Sequence, residues 1–392
     1  MTEKTGHGTG EDAPVIVAAL RTPIGTAGRS LAAVTAPGLA APVLTALAGT
    51  VGSGPDILDA GELRDVVLGN CMGPGGNVAR VAALQAGLPD TVPGLTVDRQ
   101  CASGLAAIAL AVSAVRGEPG IVMAGGVESV STAPWRFWPP VPGGEPTRYE
   151  RAPFAPVGIA DPEMGPAADA LARGFGISRA EQDAYAARSH ARAIATLQAD
   201  GFDAEIVPVA GVARDDRPRA GLTVGRLSRL PAAFGPDGTA TAGNSCGIND
   251  GAAVVAMVDA ATHRRLGVSG LRVLAMATAG LDPQWPGLGI VPATRLAMQR
   301  AGLTLDQLDV VEFNEAFAGQ VLACCRALEL DPERVCAQGG ALALGHPWGA
   351  SGAVLAVRLF TQLVRQPGGR YGLAAIAAGG GQGVAMVVER TA

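Results

Sequence analysis

Two similar small-residue segments each open an apolar helix at distant points of the chain. Residues 101–104 (CASG) precede the Ala-rich run 105–112, and residues 349–352 (GASG) precede the apolar run 353–364. Each segment follows a turn-like loop, and runs that are apolar nearly all round are typical of buried helices. This equivalent placement predicts a duplicated α/β fold in which two helix N-termini converge on one site.

Strand-like and helix-like segments alternate on both sides of a different middle stretch. Before residue 131 strand-like and helix-like segments alternate, and the same alternation resumes after residue 251. This alternation predicts a layered α/β domain with helices on both faces of a sheet. In between, Pro, Trp and Arg crowd residues 134–140, and Ser178 and Glu181 fit a capping box at the start of a helix. Such a stretch is typical of a lid that holds substrate.

We therefore expect four units. They are a disordered tail (1–12), an N-terminal half (13–130), an inserted lid (131–239) and a C-terminal half (240–392). This division is a prediction from the points at which the alternating β and α pattern stops and resumes.

Composition excludes several classes of function. Hydrophobic residues make up 48% of the chain and charged residues 17%, which predicts a large interior or a buried subunit interface. The net charge is -5 with no basic block, so we expect no nucleic-acid partner. No apolar stretch is expected to reach the length that crosses a bilayer, so no membrane partner is expected. The six cysteines lack zinc-ligand spacing, which predicts no metal site and a soluble, reduced, cytoplasmic protein.

Cys101 is the strongest candidate for a chemical role. A cysteine on the first turn of a helix feels unpaired N–H groups and the positive end of the helix dipole, and both favour the nucleophilic thiolate. The small neighbours Ala102, Ser103 and Gly104 leave room for a substrate. We predict that Cys101 is a nucleophile; the alternative is a small buried hydrophobe.

From Val15 to the end, the chain resembles the thiolase family. The blocks that carry the resemblance occur in family order: 21–23 (RTP), 97–105 (VDRQCASGL), 125–129 (GGVES), 164–165 (MG), 243–251 (GNSCGINDG), 314–317 (NEAF), 345–347 (GHP) and 379–383 (GGGQG). The resemblance implies an α/β fold with a duplicated five-layer α/β/α/β/α core and an inserted lid with coenzyme A-binding loops. It also implies acyl-CoA substrates, no permanently bound cofactor, and a homodimer or homotetramer.

The same resemblance implies roles for four residues. Cys101 would form an acyl-enzyme, His346 would take the thiol proton, and the N–H groups of Cys101 and Gly379 would stabilise the oxyanion. Asn314 would orient a water in a second oxyanion hole. The alternatives are a structural His346, a flexible turn at Gly379, and an Asn314 that caps the following helix, which is compatible with the first role.

Four further residues match positions that contact coenzyme A or the acyl group in the family. Met164, Ser245 and Arg219 would contact the pantetheine arm or the phosphates, although Arg219 fits a solvated loop charge equally well. Cys246 stands near the acyl site, where serine is usual in the family.

One departure affects the reaction itself. In thiolases a second cysteine, two residues before the closing glycine triplet, moves the α-proton of the acyl group; here the position holds Ala377. Cys246 could supply the missing thiol, or it could be a simple replacement of serine.

Three functions remain open from the sequence. The first is acyl transfer through acyl-Cys101 to a second acyl-CoA or another nucleophile, by Claisen or retro-Claisen chemistry. The second is a decarboxylative condensation with the same Cys101, His346 and Asn314, as in ketoacyl synthases, which needs no α-proton base. The third is a non-condensing subunit that acts with a partner protein.

Overall fold

The structure is a computed structural model that describes residues 12–51, 62–366 and 368–391. The tail expected at 1–12 therefore lies, apart from Asp12, outside the described residues. The strands are β1 (Val15–Arg21), β2 (Gly25–Thr26), β3 (Leu63–Gly69), β4 (Gly94–Val97), β5 (Ile121–Glu128), β6 (Arg136–Trp138), β7 (Thr147–Tyr149), β8 (Asn249–Val258), β9 (Gly270–Gly280), β10 (Val310–Phe313), β11 (Tyr371–Ala378) and β12 (Gln382–Thr391). The α-helices are α1 (Ala36–Val51), α2 (Val78–Gln85), α3 (Ser103–Gly117), α4 (Met164–Gly174), α5 (Arg179–Gln198), α6 (Val224–Leu227), α7 (Ala260–Leu266), α8 (Ile290–Ala301), α9 (Ala318–Leu328), α10 (Ala341–Leu344) and α11 (Trp348–Phe360).

The sheet repeats one topology in the two halves of the chain. In the first half the strand order is β4-β3-β5-β8-β1, with β3 parallel to β4 and β5, and β8 antiparallel to its neighbours. In the second half the order is β10-β11-β12-β9, with the same directions. An isolated parallel bridge from Val311 to Val335 takes the place of β4. The predicted duplication is confirmed.

The layers follow from the alternation of side chains along each strand. On β5, Val122 and Ala124 face the central core, whereas Ile121 and Met123 face an outer core. The helices α1 and α2 cover the outer face of the first half, and α8 and α9 cover that of the second. The helices α3 and α11 fill the central core between the two halves. The five-layer α/β/α/β/α prediction is therefore confirmed.

The apolar character of α3 is explained by this central position. By length and composition alone, the segment Gln100–Gly117 would suffice to cross a bilayer, contrary to our expectation from the sequence. Nine of its helical residues are buried against the sheet and α11. Its apolarity is thus that of a core helix, covered by protein on its buried faces.

The middle stretch contributes the hairpin β6–β7 and the helices α4, α5 and α6. The predicted capping box is confirmed: Ser178 N donates to Glu181 Oε2 at 2.7 Å, and Glu181 N donates to Ser178 Oγ at 3.2 Å. The domain boundaries at 131 and 239 stay a prediction.

Glycines allow α3 and α11 to pack backbone against backbone. A Cβ at Gly104 would lie 2.8 Å from the carbonyl oxygen of Gly349, and a Cβ at Gly352 would lie 2.6 Å from the Leu105 nitrogen. Real Cβ atoms do not come this close to backbone, so each position requires glycine.

We expect Gly104→Ala to lower the free energy of unfolding by about 1–3 kcal/mol, because the added methyl forces the two central helices apart. The matched control is Gly117→Ala in the same helix, where a Cβ would meet nothing within 4 Å. This control should be neutral or slightly stabilising. Urea unfolding of both variants checks the difference, and equal stabilities would contradict this account of the central packing.

Candidate active site

Cys101 lies in a tight turn between β4 and α3. Gln100 has a positive φ of 50°, and the Ser103 hydroxyl fixes the turn by accepting from Arg99 N at 2.8 Å and donating to Gln100 O at 2.6 Å. The helix begins at Ser103 with Ala102 as its N-cap. The prediction that Cys101 lies on the first helical turn is therefore wrong by two residues, because the turn precedes the helix.

The environment of Cys101 favours the thiol over the thiolate. Burial raises the pKa of the Cys101 thiol to about 12, and the nearby Cys246 adds to the rise. The thiolate expected from the helix N-terminus is wrong for the resting protein, since desolvation disfavours the charged form more than the helix end favours it. Nucleophilic attack by Cys101 therefore needs a base.

His346 has the properties that such a base requires. Its backbone N–H donates to Asn249 Oδ1 at 2.9 Å, its Nδ1 lies 2.5 Å from Ser351 Oγ, and its Nε2 lies 3.5 Å from Asn314 Nδ2. Burial lowers the pKa of His346 to about 4, so the ring is neutral at pH 7 and able to accept a proton. The Ser351 hydroxyl can donate to Nδ1 or accept from it, so it supports either tautomer.

The loops of Cys101 and His346 lie at the same end of the central layer. Glu128, at the end of β5, links the segments next to the two loops. Its Oε2 accepts from Gly349 N, just after the His346 loop, at 3.1 Å, and from Cys71 N, beneath the Cys101 turn, at 3.0 Å. Gly349 belongs to the first turn of α11, so the same carboxylate ties the start of that helix to the first half of the chain. The structure thus brings together the two helix starts that the sequence predicts to converge.

Gly379 opens the turn between β11 and β12. Arg99 Nη1 donates to Gln382 Oε1 at 3.0 Å, which joins this turn to the turn that carries Cys101. The ring of Phe154, from the middle stretch, covers the glycine so closely that a Cβ at Gly379 would lie 2.5 Å from it. A side chain at this position would therefore require the Phe154 ring or the turn to move.

Asn314 follows β10, and its side chain faces His346 rather than a helix end. The cap of α9 is Phe317, so the alternative that Asn314 caps this helix is wrong. The next residue, Glu315, is fully buried and accepts from Tyr185 Oη at 2.9 Å and Ser189 Oγ at 2.6 Å, which ties α5 to the site. Glu315 lies in the loop between β10 and α9, and its side chain points into the interior.

Cys246 lies between the loops that carry Asn314 and His346. Ser245 pairs with Phe317 and Ile248 pairs with His346, and Cys246 N donates to Ala316 O at 2.9 Å. Burial raises the pKa of the Cys246 thiol to about 12, against the opposing effect of the Arg217 guanidinium.

The other candidates for coenzyme A contact lie on separate elements. Met164 begins α4, and the Ser245 hydroxyl is buried with no hydrogen-bond partner among the described residues. Arg219 is exposed on a loop near Arg217, and burial together with these two arginines lowers the pKa of His190 to about 4. The loop therefore carries local positive charge. Within 12–51, 62–366 and 368–391, no group of three or more His, Cys, Asp or Glu is arranged to hold a metal ion.

Comparison with known proteins decides the family. Residues 14–261 match the family model of the thiolase N-terminal domain, and residues 268–390 match that of the thiolase C-terminal domain. The chain belongs to the thiolase family. This thiolase is 43% identical to an acetyl-CoA acetyltransferase of Pseudomonas aeruginosa, over 96% of this chain and 99% of the relative. It is 43% identical to a beta-ketoadipyl-CoA thiolase of the same species, over 95% and 98%.

A solved structure agrees with the fold. The crystal structure of the Bacillus anthracis acetyl-CoA acetyltransferase has a TM-score of 0.89 and 36% identity to this thiolase, and covers 97% of this chain and 99% of its own. The predictions of an acyltransferase that uses coenzyme A thioesters in Claisen-type chemistry are confirmed.

The sequence did not identify Ser351 as the partner of His346. We expect Ser351→Ala to slow acyl-enzyme formation about tenfold to hundredfold, because a hydrogen bond to a ring that becomes charged is worth about 1.5–3 kcal/mol. Rapid-quench measurement of the acylation rate checks this. Ser113→Ala, at an exposed serine of α3, is the control. Equal rates for the two variants would show that Ser351 does not support His346.

We expect Gly379→Ala to reduce acylation about hundredfold, because the methyl either pushes Phe154 away or displaces an N–H from the developing oxyanion. Addition of Phe154→Ala should restore part of the rate if the clash with the ring is the cause. The acylation rates of both variants separate these effects. Wild-type activity in Gly379→Ala would contradict the close fit at this turn.

Proposed function

We propose that this thiolase forms an acyl-enzyme on Cys101 and passes the acyl group to coenzyme A or to the α-carbon of a second acyl-CoA. The observation that carries the proposal is that the Cys101 thiol and the His346 imidazole, at the same end of the central layer, are both neutral. A neutral thiol at the partly exposed Cys101 and a buried neutral imidazole at His346 are the forms required for a proton transfer that accompanies attack.

In the proposed acylation step, the Cys101 sulfur attacks the thioester carbonyl while His346 takes the thiol proton. The carbonyl oxygen becomes negative, and the N–H groups of Cys101 and Gly379 stabilise it. Collapse of this intermediate expels the leaving group and yields acyl-Cys101. In the condensation step, Asn314 and His346 stabilise the enolate oxygen of the second thioester, with Asn314 holding a water. The contact between Asn314 Nδ2 and His346 Nε2 supports this pairing.

We further propose that Arg219, Ser245, Cys246 and Met164 line the coenzyme A and acyl path. The local positive charge of the Arg217–Arg219 loop suits the phosphates of coenzyme A, and the unpartnered Ser245 hydroxyl suits a pantetheine amide. The name of the acetyl-CoA acetyltransferase of Pseudomonas aeruginosa points to acetyl-CoA as the first acyl donor to try.

We propose a cytoplasmic homodimer or homotetramer with the lid at 131–239. Exposed aromatic side chains on the β6–β7 hairpin support a subunit contact there, since Trp135 is 73% exposed and Phe137 50%. The mass of the protein in solution tests this, and a monomer at micromolar concentration would contradict it.

The central experiment incubates the purified protein with acetyl-CoA or malonyl-CoA and records the intact mass and the products. We expect one acetyl group on the wild type and none on Cys101→Ser. No adduct from either thioester would sink the proposal. Release of carbon dioxide from malonyl-CoA, without acetoacetyl-CoA cleavage by coenzyme A, would instead support the decarboxylative alternative, which the absence of a thiol at Ala377 favours.

A further inference from the structure

One proton transfer of the proposed function has no group assigned to it. Making or breaking the carbon–carbon bond requires that a proton leave or reach the α-carbon of the thioester. His346 already takes the Cys101 proton, and the Ala377 methyl cannot transfer one. Besides Cys101 and His346, four titratable groups of the described residues surround this site: Cys71, Asp98, Glu128 and Cys246. Asp98 is exposed, and its Oδ1 accepts from Gln100 N at 2.7 Å within the turn that carries Cys101, which leaves Cys71, Glu128 and Cys246.

Two of the three groups are committed to the structure. The Cys71 thiol donates to Gln100 O at 3.1 Å, beneath the turn that carries Cys101. Glu128 is fully buried, and its carboxylate accepts from three backbone N–H groups and from Asn70 Nδ2. Neither group can approach a substrate carbon without breaking the support of the Cys101 turn or of α11.

The Cys246 side chain makes no such supporting hydrogen bonds among the described residues. Its backbone is fixed by the pairs that its neighbours make with Phe317 and His346, so the position of the side chain is defined. The residue is partly exposed, like Cys101 and unlike the buried Cys324 and Cys336. Among the described residues, its sulfur has no hydrogen-bond partner, whereas the Cys324 and Cys336 thiols each donate to a backbone carbonyl.

Cys246 lies close to the base of the proposed reaction, because Ile248, two residues further on, pairs with His346. Among the charged groups that act on the Cys101 thiol, Cys246 has the largest effect on its pKa. Between the loops of Asn314 and His346, Cys246 adjoins the position proposed for the enolate oxygen. The α-carbon of a thioester is one bond from the carbon that bears this oxygen.

A half-buried arginine stands beside Cys246. The Arg217 guanidinium approaches so closely that a Cβ at Gly247, the next residue after Cys246, would lie 2.4 Å from Nη1. Arg217 forms no ion pair among the described residues, and its Nε is buried without a partner. Its loop is anchored by Asp215, whose Oδ1 accepts from Arg21 at 2.7 Å. A negative charge that appears on Cys246 is therefore met by a fixed positive one.

We propose that Cys246 moves the α-proton of the substrate, and that Arg217 is the positioning residue that stabilises the Cys246 thiolate. This role rests on the proposed function of Cys101 and His346. Of the two alternatives that the sequence leaves open for Cys246, the proposal takes the missing thiol and makes Cys246 the second acid–base group of the reaction.

In the cleavage direction the protons balance as follows. The Cys101 proton passes to His346, the sulfur attacks the 3-oxo carbon, and the bond between carbons 2 and 3 breaks. The electron pair of that bond takes the Cys246 proton, so acetyl-CoA leaves and an acyl group shortened by two carbons stays on Cys101. The Cys246 thiolate regains a proton from His346. Incoming coenzyme A then gives its thiol proton to His346 as it attacks acyl-Cys101, and the shortened acyl-CoA leaves. The released Cys101 thiolate recovers its proton from His346.

The test measures two rates on the same protein. One is exchange of the α-protons of acetyl-CoA in deuterium oxide, which requires the α-proton group. The other is acetyl transfer between acetyl-CoA and labelled coenzyme A, which requires acyl-Cys101. We expect Cys246→Ser to lower the ratio of the first rate to the second about hundredfold or more, the usual contribution of a positioned acid–base group. Arg217→Gln should lower this ratio about tenfold.

Controls separate chemistry from structure. Cys71→Ser changes the other partly exposed thiol near Cys101 and should leave the ratio unchanged. Adding Ala377→Cys to Cys246→Ser should restore α-proton exchange at least tenfold, because it puts a thiol at the position where thiolases carry their second cysteine. An unchanged ratio in Cys246→Ser overturns the proposal, and so does a lowered ratio that Ala377→Cys fails to restore. Absence of acetyl transfer in the wild type is a different result, which overturns the proposed function itself.

Discussion

The close packing of α3 against α11 is the contact on which the rest of the structure depends. Each helix also packs against the sheet, so the two can fit in one layer only if their backbones nearly touch. Gly104 and Gly352 permit this approach. Because the helices run side by side from the same end, the loops before them present Cys101 and His346 on one side of the molecule. The active-site arrangement is thus a consequence of how the duplicated core closes.

Burial also decides the charge states of Cys101 and His346 in the resting protein. Desolvation raises the pKa of Cys101 and lowers that of His346, so both are neutral where a solvated pair would be partly ionised. A helix N-terminus alone would have favoured a thiolate, and that expectation fails because the surrounding protein excludes water from the sulfur. Reaction must therefore begin with a proton transfer rather than with a standing thiolate. Ser351 holds the acceptor in place for it.

Much of the architecture could be predicted because its signals are local. Alternating strands, small-residue helices and the capping box at Ser178 depend on neighbours a few residues apart. The predicted positions of Cys101 and Asn314 relative to their helices are wrong. Cys101 lies before its helix and Asn314 does not cap α9, because contacts with distant segments decide where each helix begins. Glu315 is drawn inward by Tyr185 and Ser189, more than a hundred residues away in the chain.

The sequence by itself determined the duplicated α/β plan, the thiolase family and the identity of Cys101 and His346 as candidates. Those features follow from the types of residues at short spacing, and such local patterns do not depend on how the segments pack. Only the tertiary structure decided that His346 pairs with Ser351, that Glu128 joins the two helix starts, and that Arg217 faces Cys246. These relations depend on burial and on distances between segments far apart in the chain, and neither quantity is present in a linear pattern.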